Sequence, residues 1–306
     1  MGSAKASAEA SADARPKGAR LLAARLATIG DAVMIRHTLF SLPFAVAAVL
    51  LETGGRPPHD KLFWIVIAAA GARNAANALN RLVDHEIDAK NPRTAGRALP
   101  KGILSRRELW LFAIAMLALL IIGAAMLNPL CLALLPVAAI LVFGYSYTKR
   151  FTWLCHFWLG LTCSAATMGA FLGISGGFQL RYFPLVAGVA LWVAGFDILY
   201  AVQDIAFDRS AKLHSLPARF GAKGARLAAA ASHLLALAGF ASVLFFWPET
   251  GAGTIAALGV CAILLAAEQI VALGGTEKHV RIAAYGINEI IPALFLCAVA
   301  LDLYLI

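Results

Sequence analysis

Charged residues are scarce in this sequence. Asp, Glu, Lys and Arg make up 14% of its 306 residues, against about 25% in ordinary soluble domains. With 61% hydrophobic residues and a mean hydropathy of +0.78, that scarcity excludes a soluble globular protein. Acids are scarcer than bases, 17 against 26, for a net charge of +9. The excess does not point to nucleic acid, because a polytopic membrane protein uses Lys and Arg for orientation. Cysteine is sparse as well. Cys131, Cys155, Cys163, Cys261 and Cys297 lie in apolar stretches without a C-x2-C pair, the pattern of small buried hydrophobes. His156 and His233 show no ligand spacing and read as helix-packing residues. No Ser-His-Asp or Cys-His set is evident. The first twenty residues are rich in Ala and Ser and contain no apolar core of a signal peptide.

What is present in abundance is apolar sequence in lengths that suit a bilayer. Nine segments stand out, at about 34–51, 62–81, 109–127, 129–147, 152–175, 182–203, 225–247, 253–273 and 285–305. A transmembrane helix needs roughly 20 such residues. With the N-terminus in the cytoplasm, the inside loops and tail hold 22 Lys/Arg and the outside loops hold 3, while Arg73 sits within the second span. That asymmetry predicts nine spans, a cytoplasmic N-terminus and an external C-terminus. The expected architecture is all-α: a disordered tail over 1–30, then a nine-helix membrane domain over 31–306 around a central cavity, with its site on the cytoplasmic side. A bacterial plasma membrane is the expected location.

Against this apolar background two acidic motifs are conspicuous. Asp84-x3-Asp88 recurs 120 residues later as Asp204-x3-Asp208, each followed by a Leu-Pro pair, Leu99-Pro100 and Leu216-Pro217. Both close a span on the same face, which suggests two halves converging on one site. Helical spacing puts Asn80, Asp84 and Asp88 on one stripe, with about 6 Å of rise between the carboxylates. Asp197, Tyr200, Asp204 and Asp208 form a similar stripe. Grouped carboxylates repel each other and need a cation. Mg²⁺ suits them, because it takes one or two carboxylates together with substrate phosphates. Asn80, Asp84, Asp88, Asp204 and Asp208 are the candidate metal set. Arg73, Arg93, Arg97 and Lys149 lie near the motifs or on the same face and complete a diphosphate clamp. Asn77, like Arg73, lies too deep for a loop residue. The apolar bundle offers room for a long hydrocarbon tail.

These residues resemble the UbiA superfamily of intramembrane aromatic prenyltransferases, typified by 4-hydroxybenzoate polyprenyltransferase. The first motif is similar to N-x3-D-x3-D followed by R-T-x2-R-x-L-P-x-G, here Arg93-Thr94, Arg97, Leu99-Pro100 and Gly102. The second is similar to D-x2-Y-A-x2-D-x3-D, here Asp197, Tyr200-Ala201, Asp204 and Asp208. "YSYTKRFT" resembles the family's Y-x3-K loop, Tyr145 and Lys149. One departure is Arg81 after Asn80, where the family often has Asp. The resemblance implies Mg²⁺-dependent transfer of a polyprenyl group from its diphosphate to a hydroxylated aromatic acid in quinone synthesis. It places Tyr145 among the substrate-binding residues and Asp197 and Tyr200 in the catalytic centre. The acceptor reads as 4-hydroxybenzoate, with 1,4-dihydroxy-6-naphthoate on a menaquinone route as the alternative.

Other residues carry weaker signals. Arg36 is placed either to pair with the carboxylate of an aromatic acid or to snorkel at the interface. Glu268 and Glu289 are read as hydrogen-bonding between helices, with Gln269 or Asn288 nearby. The small residues of 163–177 are expected to permit close helix contact. A rival class, an ion-coupled secondary transporter, would suit the half-chain echo but calls for acids near the midplane.

Overall fold

The computed structural model describes residues 17–34, 38–274, 279 and 282–305. Residues 1–16 and Arg36 lie outside the described residues. Among the described residues every regular element is helical, as the composition predicts.

Residues Lys17–Ala32 form an amphipathic helix, α1, where a disordered tail was expected to continue to residue 30. Its apolar side is used: Ile29 and Val33 are buried in a cluster with Leu79, Leu104 and Leu109. Arg25 ties it down by donating to Ile103 O at 2.9 Å.

The bundle follows as α2 (Thr38–Thr53), α3 (His59–Val83), α4 (His85–Lys90), α5 (Arg106–Leu127), α6 (Pro129–Ala133), α7 (Leu135–Thr148), α8 (Cys155–Ser175), α9 (Tyr182–Ala201), α10 (Ile205–Ser210), α11 (Leu216–Ala241), α12 (Val243–Phe246), α13 (Ala252–Ala272) and α14 (Ile290–Leu305). Six stretches are long and apolar enough to cross a membrane: α3, α5, α8, α9 with α10, α11 with α12, and α13. Ser41–Thr53, α7 and α14 are shorter apolar helices. All nine predicted segments are thus largely helical, but helix length alone supports six crossings among the described residues, not nine. The 129–147 segment is interrupted at Leu134, between α6 and α7. The 285–305 segment begins with a π-helical turn at Ile282–Ile287 before α14.

Local sequence explains the joints. Ser105 and Glu108 form a reciprocal capping box that starts α5. Asn128 caps α6 through its side-chain oxygen and donates to Leu172 O at 2.8 Å, so the α5–α6 corner is pinned to α8. Helices α3 and α5 approach closely because Gly71 has no side chain: a Cβ there would sit 2.6 Å from Met116 O.

Three apolar clusters result, a small one around Ile198, Leu199 and Leu216 and two larger ones. One joins α2, α8, α9, α11, α13 and α14 around Phe44, Trp192, Phe240 and Phe295. The other joins α1, α3, α5 and α7. Between them lies a cavity of about 500 Å³, reached by Ala69, Arg73, Val142, Cys163 and Gly169. The stretch 163–177, expected to serve helix contact, mostly lines this space. Cys163 through Ala166, Met168 through Ala170, and Leu172 all face it.

Candidate functional site

Both acidic motifs bend at their first aspartate. Asp84 separates α3 from α4 with φ −91° and ψ 4°. Asp204 ends a 3-10 turn and precedes α10 with φ −95° and ψ 4°. The two segments therefore share a backbone conformation in the sparsely allowed bridge region, and each leads into a six-residue helix. The straight helical stripes expected from spacing are broken at these points. The half-chain echo extends from sequence to backbone geometry.

The first-motif carboxylates are deeply buried: Asp84 is 2% exposed and Asp88 5%. Burial of charge is tolerable only with partners. Asp84 accepts from Lys149 Nζ at 2.6 Å and Asn80 Nδ2 at 2.8 Å. Arg150 Nη2 lies 3.1 Å from its other oxygen, Oδ1, but that guanidinium donates to Val83 O at 2.9 Å, and Oδ1 is left with no hydrogen bond among the described residues. The ion contact is real and its hydrogen-bond geometry is poor. Asp88 pairs with Arg97 at 2.5 Å.

The second motif is reached from the first. Arg93 grips Asp204 through Nε at 2.9 Å and through a still closer contact from Nη2. It also donates to Tyr200 Oη at 2.7 Å, with its guanidinium 4.9 Å from the Tyr200 ring centroid. Asn91 donates to Asp204 at 3.0 Å and accepts from the Arg93 backbone N–H. Asp208 accepts from Ser215 at 2.7 Å. His214 N donates to Lys149 O at 2.7 Å. Loops from both acidic motifs and from the α7–α8 turn thus meet at one end of the bundle.

The remaining predicted residues are placed differently. Arg73 lines the cavity; its Nη1 donates to Cys163 Sγ at 2.8 Å, and its Nε has no hydrogen-bond partner among the described residues. Asp197 pairs with His156 at 2.7 Å. Tyr145 donates to Ala76 O at 3.3 Å and Asn77 to Val33 O at 2.9 Å, so both polar groups are engaged by backbone. Glu268 is fully buried and accepts from Asn288 at 3.0 Å, a bond to the turn before α14 where one between helices was expected. Glu289, read with Glu268 as hydrogen-bonding between helices, is exposed. His156, read as a packing residue, instead binds a predicted catalytic aspartate. Asn91 and Arg150 were missed. Each adjoins a motif residue, Asn91 in Asn-Pro-Arg93 and Arg150 beside Lys149, and adjacency to Arg93 and Lys149 was the signal available.

Among the described residues no three His, Cys, Asp or Glu side chains gather into a metal-binding group. Each first-motif acid and Asp204 instead faces a base. The donor set still fits Mg²⁺, which needs only one or two carboxylates when phosphate oxygens and water complete its shell. Asp84 supplies a buried oxygen without a hydrogen bond.

The model of the UbiA prenyltransferase family matches residues 41–291. The 4-hydroxybenzoate octaprenyltransferase of Saccharophagus degradans is 30% identical over 213 residues, covering 70% of this chain and 69% of that one. The apo structure of a UbiA homolog from Aeropyrum pernix K1 is 34% identical and covers 88% of this chain and 98% of that one, with a TM-score of 0.80. A UbiA homolog from Archaeoglobus fulgidus, solved with GPP and Mg²⁺, shares the fold at 20% identity and a TM-score of 0.68, covering 90% and 99%. An apolar helical bundle with two matched acidic bends closing one end is therefore an integral membrane protein that belongs to the UbiA prenyltransferase family.

Proposed function

We propose that the protein transfers a polyprenyl group from its diphosphate to a hydroxylated aromatic acid, 4-hydroxybenzoate before 1,4-dihydroxy-6-naphthoate. The observation that carries this reading is the bridge from Arg93 and Asn91 to Asp204. It ties the loop after the first acidic motif to the second motif, which supports both acting on one diphosphate. Asp84, Asp88, Asp204 and Asp208 would hold Mg²⁺, with Asn80 behind Asp84. When bound, the ion supplies Lewis-acid stabilisation of the departing diphosphate.

The chain's own residues do the rest. Arg93, Arg97, Lys149 and Arg150 are only partly exposed and are gathered at one end of the bundle, where they would stabilise the leaving charge. The cavity houses the hydrocarbon and keeps water from the allylic cation. Arg73, read from the sequence as part of the diphosphate clamp, is assigned instead to the acceptor carboxylate, because it lines the cavity and bonds to Cys163 rather than to a motif acid. A guanidinium bonded to a thiol, a weak acceptor, with its Nε unmatched, lacks the anion it is built to bind. Asp197 accepts the acceptor's phenolic O–H and so raises the electron density of the ring. Arg36 lies outside the described residues, and both its sequence readings, carboxylate partner and snorkelling arginine, stand.

The basic loops support a cytoplasmic active site and N-terminus, an external C-terminus and a bacterial plasma membrane. The test offers both acceptors with one polyprenyl diphosphate and Mg²⁺, read by mass spectrometry. Prenylated 4-hydroxybenzoate as the main product is expected. Exclusive prenylation of the naphthoate would move the acceptor assignment, and no prenyl transfer to either would remove the reading.

A further inference from the structure

One buried titratable side chain is not accounted for by the diphosphate end of the site. His156 is the second residue of α8 and is 4% exposed. Its Nδ1 lies 2.7 Å from Asp197 Oδ2 on α9. An ionised carboxylate only accepts hydrogen bonds, so Nδ1–H is the donor. Nε2 is buried and has no hydrogen-bond partner among the described residues. It therefore has no path to a substrate. The Asp197 side chain, by contrast, is 28% exposed. Accessibility sets the order of the pair: Asp197 in front, His156 behind.

We infer that His156 is a positioning residue that holds Asp197 toward the acceptor. This deepens the proposed role of Asp197 and rests on it. With Oδ2 tied to the imidazole, rotation of the carboxylate is blocked and Oδ1 is the oxygen left for a phenol. The start of α8 is itself anchored, because the Cys155 thiol contacts His214 O at 3.5 Å in the loop that follows Asp208. The choice of side chain is informative. Leucine would fill the volume without leaving a buried nitrogen unmatched, a feature that lowers stability. An imidazole reaches Asp197 Oδ2 with a short, stiff side chain that donates from Nδ1.

The test compares His156→Leu, His156→Asn, Asp197→Asn and the double variant His156→Leu/Asp197→Asn, purified in detergent. Initial rates are measured while acceptor and prenyl diphosphate are varied separately. His156→Leu is expected to lower kcat/KM for the acceptor about 10- to 100-fold, with KM for the prenyl diphosphate within about twofold. His156→Asn, whose amide N–H can replace Nδ1–H, is expected to recover most of that loss. The double variant is expected to be no worse than Asp197→Asn alone, because residues acting as a unit are not additive. Full activity in His156→Leu, asparagine no better than leucine, or additive losses would each overturn the inference. If His156→Leu unfolds, the comparison of His156→Asn with His156→Ser decides it on the same readouts. Normal turnover in Asp197→Asn would overturn the Asp197 reading itself. An impaired Asp197→Asn beside a normal His156→Leu would overturn only the role given to His156.

Discussion

At the scale of single residues, the site is an arrangement of pairs whose members have different tasks. Asp84 is almost fully buried and faces Lys149, Asn80 and Arg150. Removing its charge leaves those bases unmatched and withdraws a metal oxygen. Asp84→Asn is expected to lower prenyl transfer by a factor on the order of 100 to 1,000, the usual size for losing one preorganised electrostatic contact. A turnover assay at saturating Mg²⁺ checks this, and near-normal product would remove Asp84 from the site. Arg73 predicts a different signature. Its proposed partner is the acceptor carboxylate, so Arg73→Ala should raise the acceptor KM roughly 10- to 100-fold, the range expected for a charge-assisted hydrogen bond. KM for the prenyl diphosphate should barely change. Equal effects on both substrates would place Arg73 in the diphosphate clamp instead.

At the scale of elements, the ends of helices carry the information. The positions of the apolar helices were legible in the sequence because apolar run length is a one-dimensional signal. The bends at Asp84 and Asp204 were not, since N-x3-D-x3-D satisfies helical spacing whether or not the helix continues. Likewise His156 and Asp197 are far apart in sequence, and only the packing of α8 on α9 joins them. A cap at the opposite end of the bundle from the acidic bends shows the same limit. Asp302, on α14, accepts from the backbone N–H groups of Gly251, Gly253 and Thr254, each at 2.8 Å. It thereby satisfies the orphan donors at the start of α13 across some fifty residues of chain. Replacing a capping side chain with alanine typically costs about 0.5–2 kcal/mol. Asp302→Ala is therefore expected to lower the thermal midpoint in detergent while kcat/KM stays near wild type. A loss of activity without a change in stability would contradict a purely structural cap.

At the scale of the whole molecule, the two larger apolar clusters meet along a cavity and the loops at one end are tied by an ion pair and a backbone hydrogen bond. The Arg93–Asp204 contact joins the loop after α4 to the end of α9, and the His214–Lys149 bond joins the loop after α10 to the end of α7. These bridges hold the site together while it lacks its ligands. The ion pairs Arg93–Asp204, Arg97–Asp88 and Lys149–Asp84 join bases proposed for the diphosphate to acids proposed for the ion. Ligand and metal must then arrive together, because taking only the bases would strand buried carboxylates, and taking only the acids would strand the guanidinium groups. Anything that binds only the folded state stabilises it by RT ln(1 + [L]/Kd), about 2.7 kcal/mol at a hundredfold excess over Kd. A non-reactive prenyl diphosphate analogue with Mg²⁺ is therefore expected to raise the thermal midpoint by a few degrees. Either component alone should give much less, and EDTA should reverse the joint effect. If the analogue stabilised the protein equally well in EDTA, the bases alone would suffice for the diphosphate and the acids would need another purpose. Dependence on both would show that the paired charges are exchanged as a set.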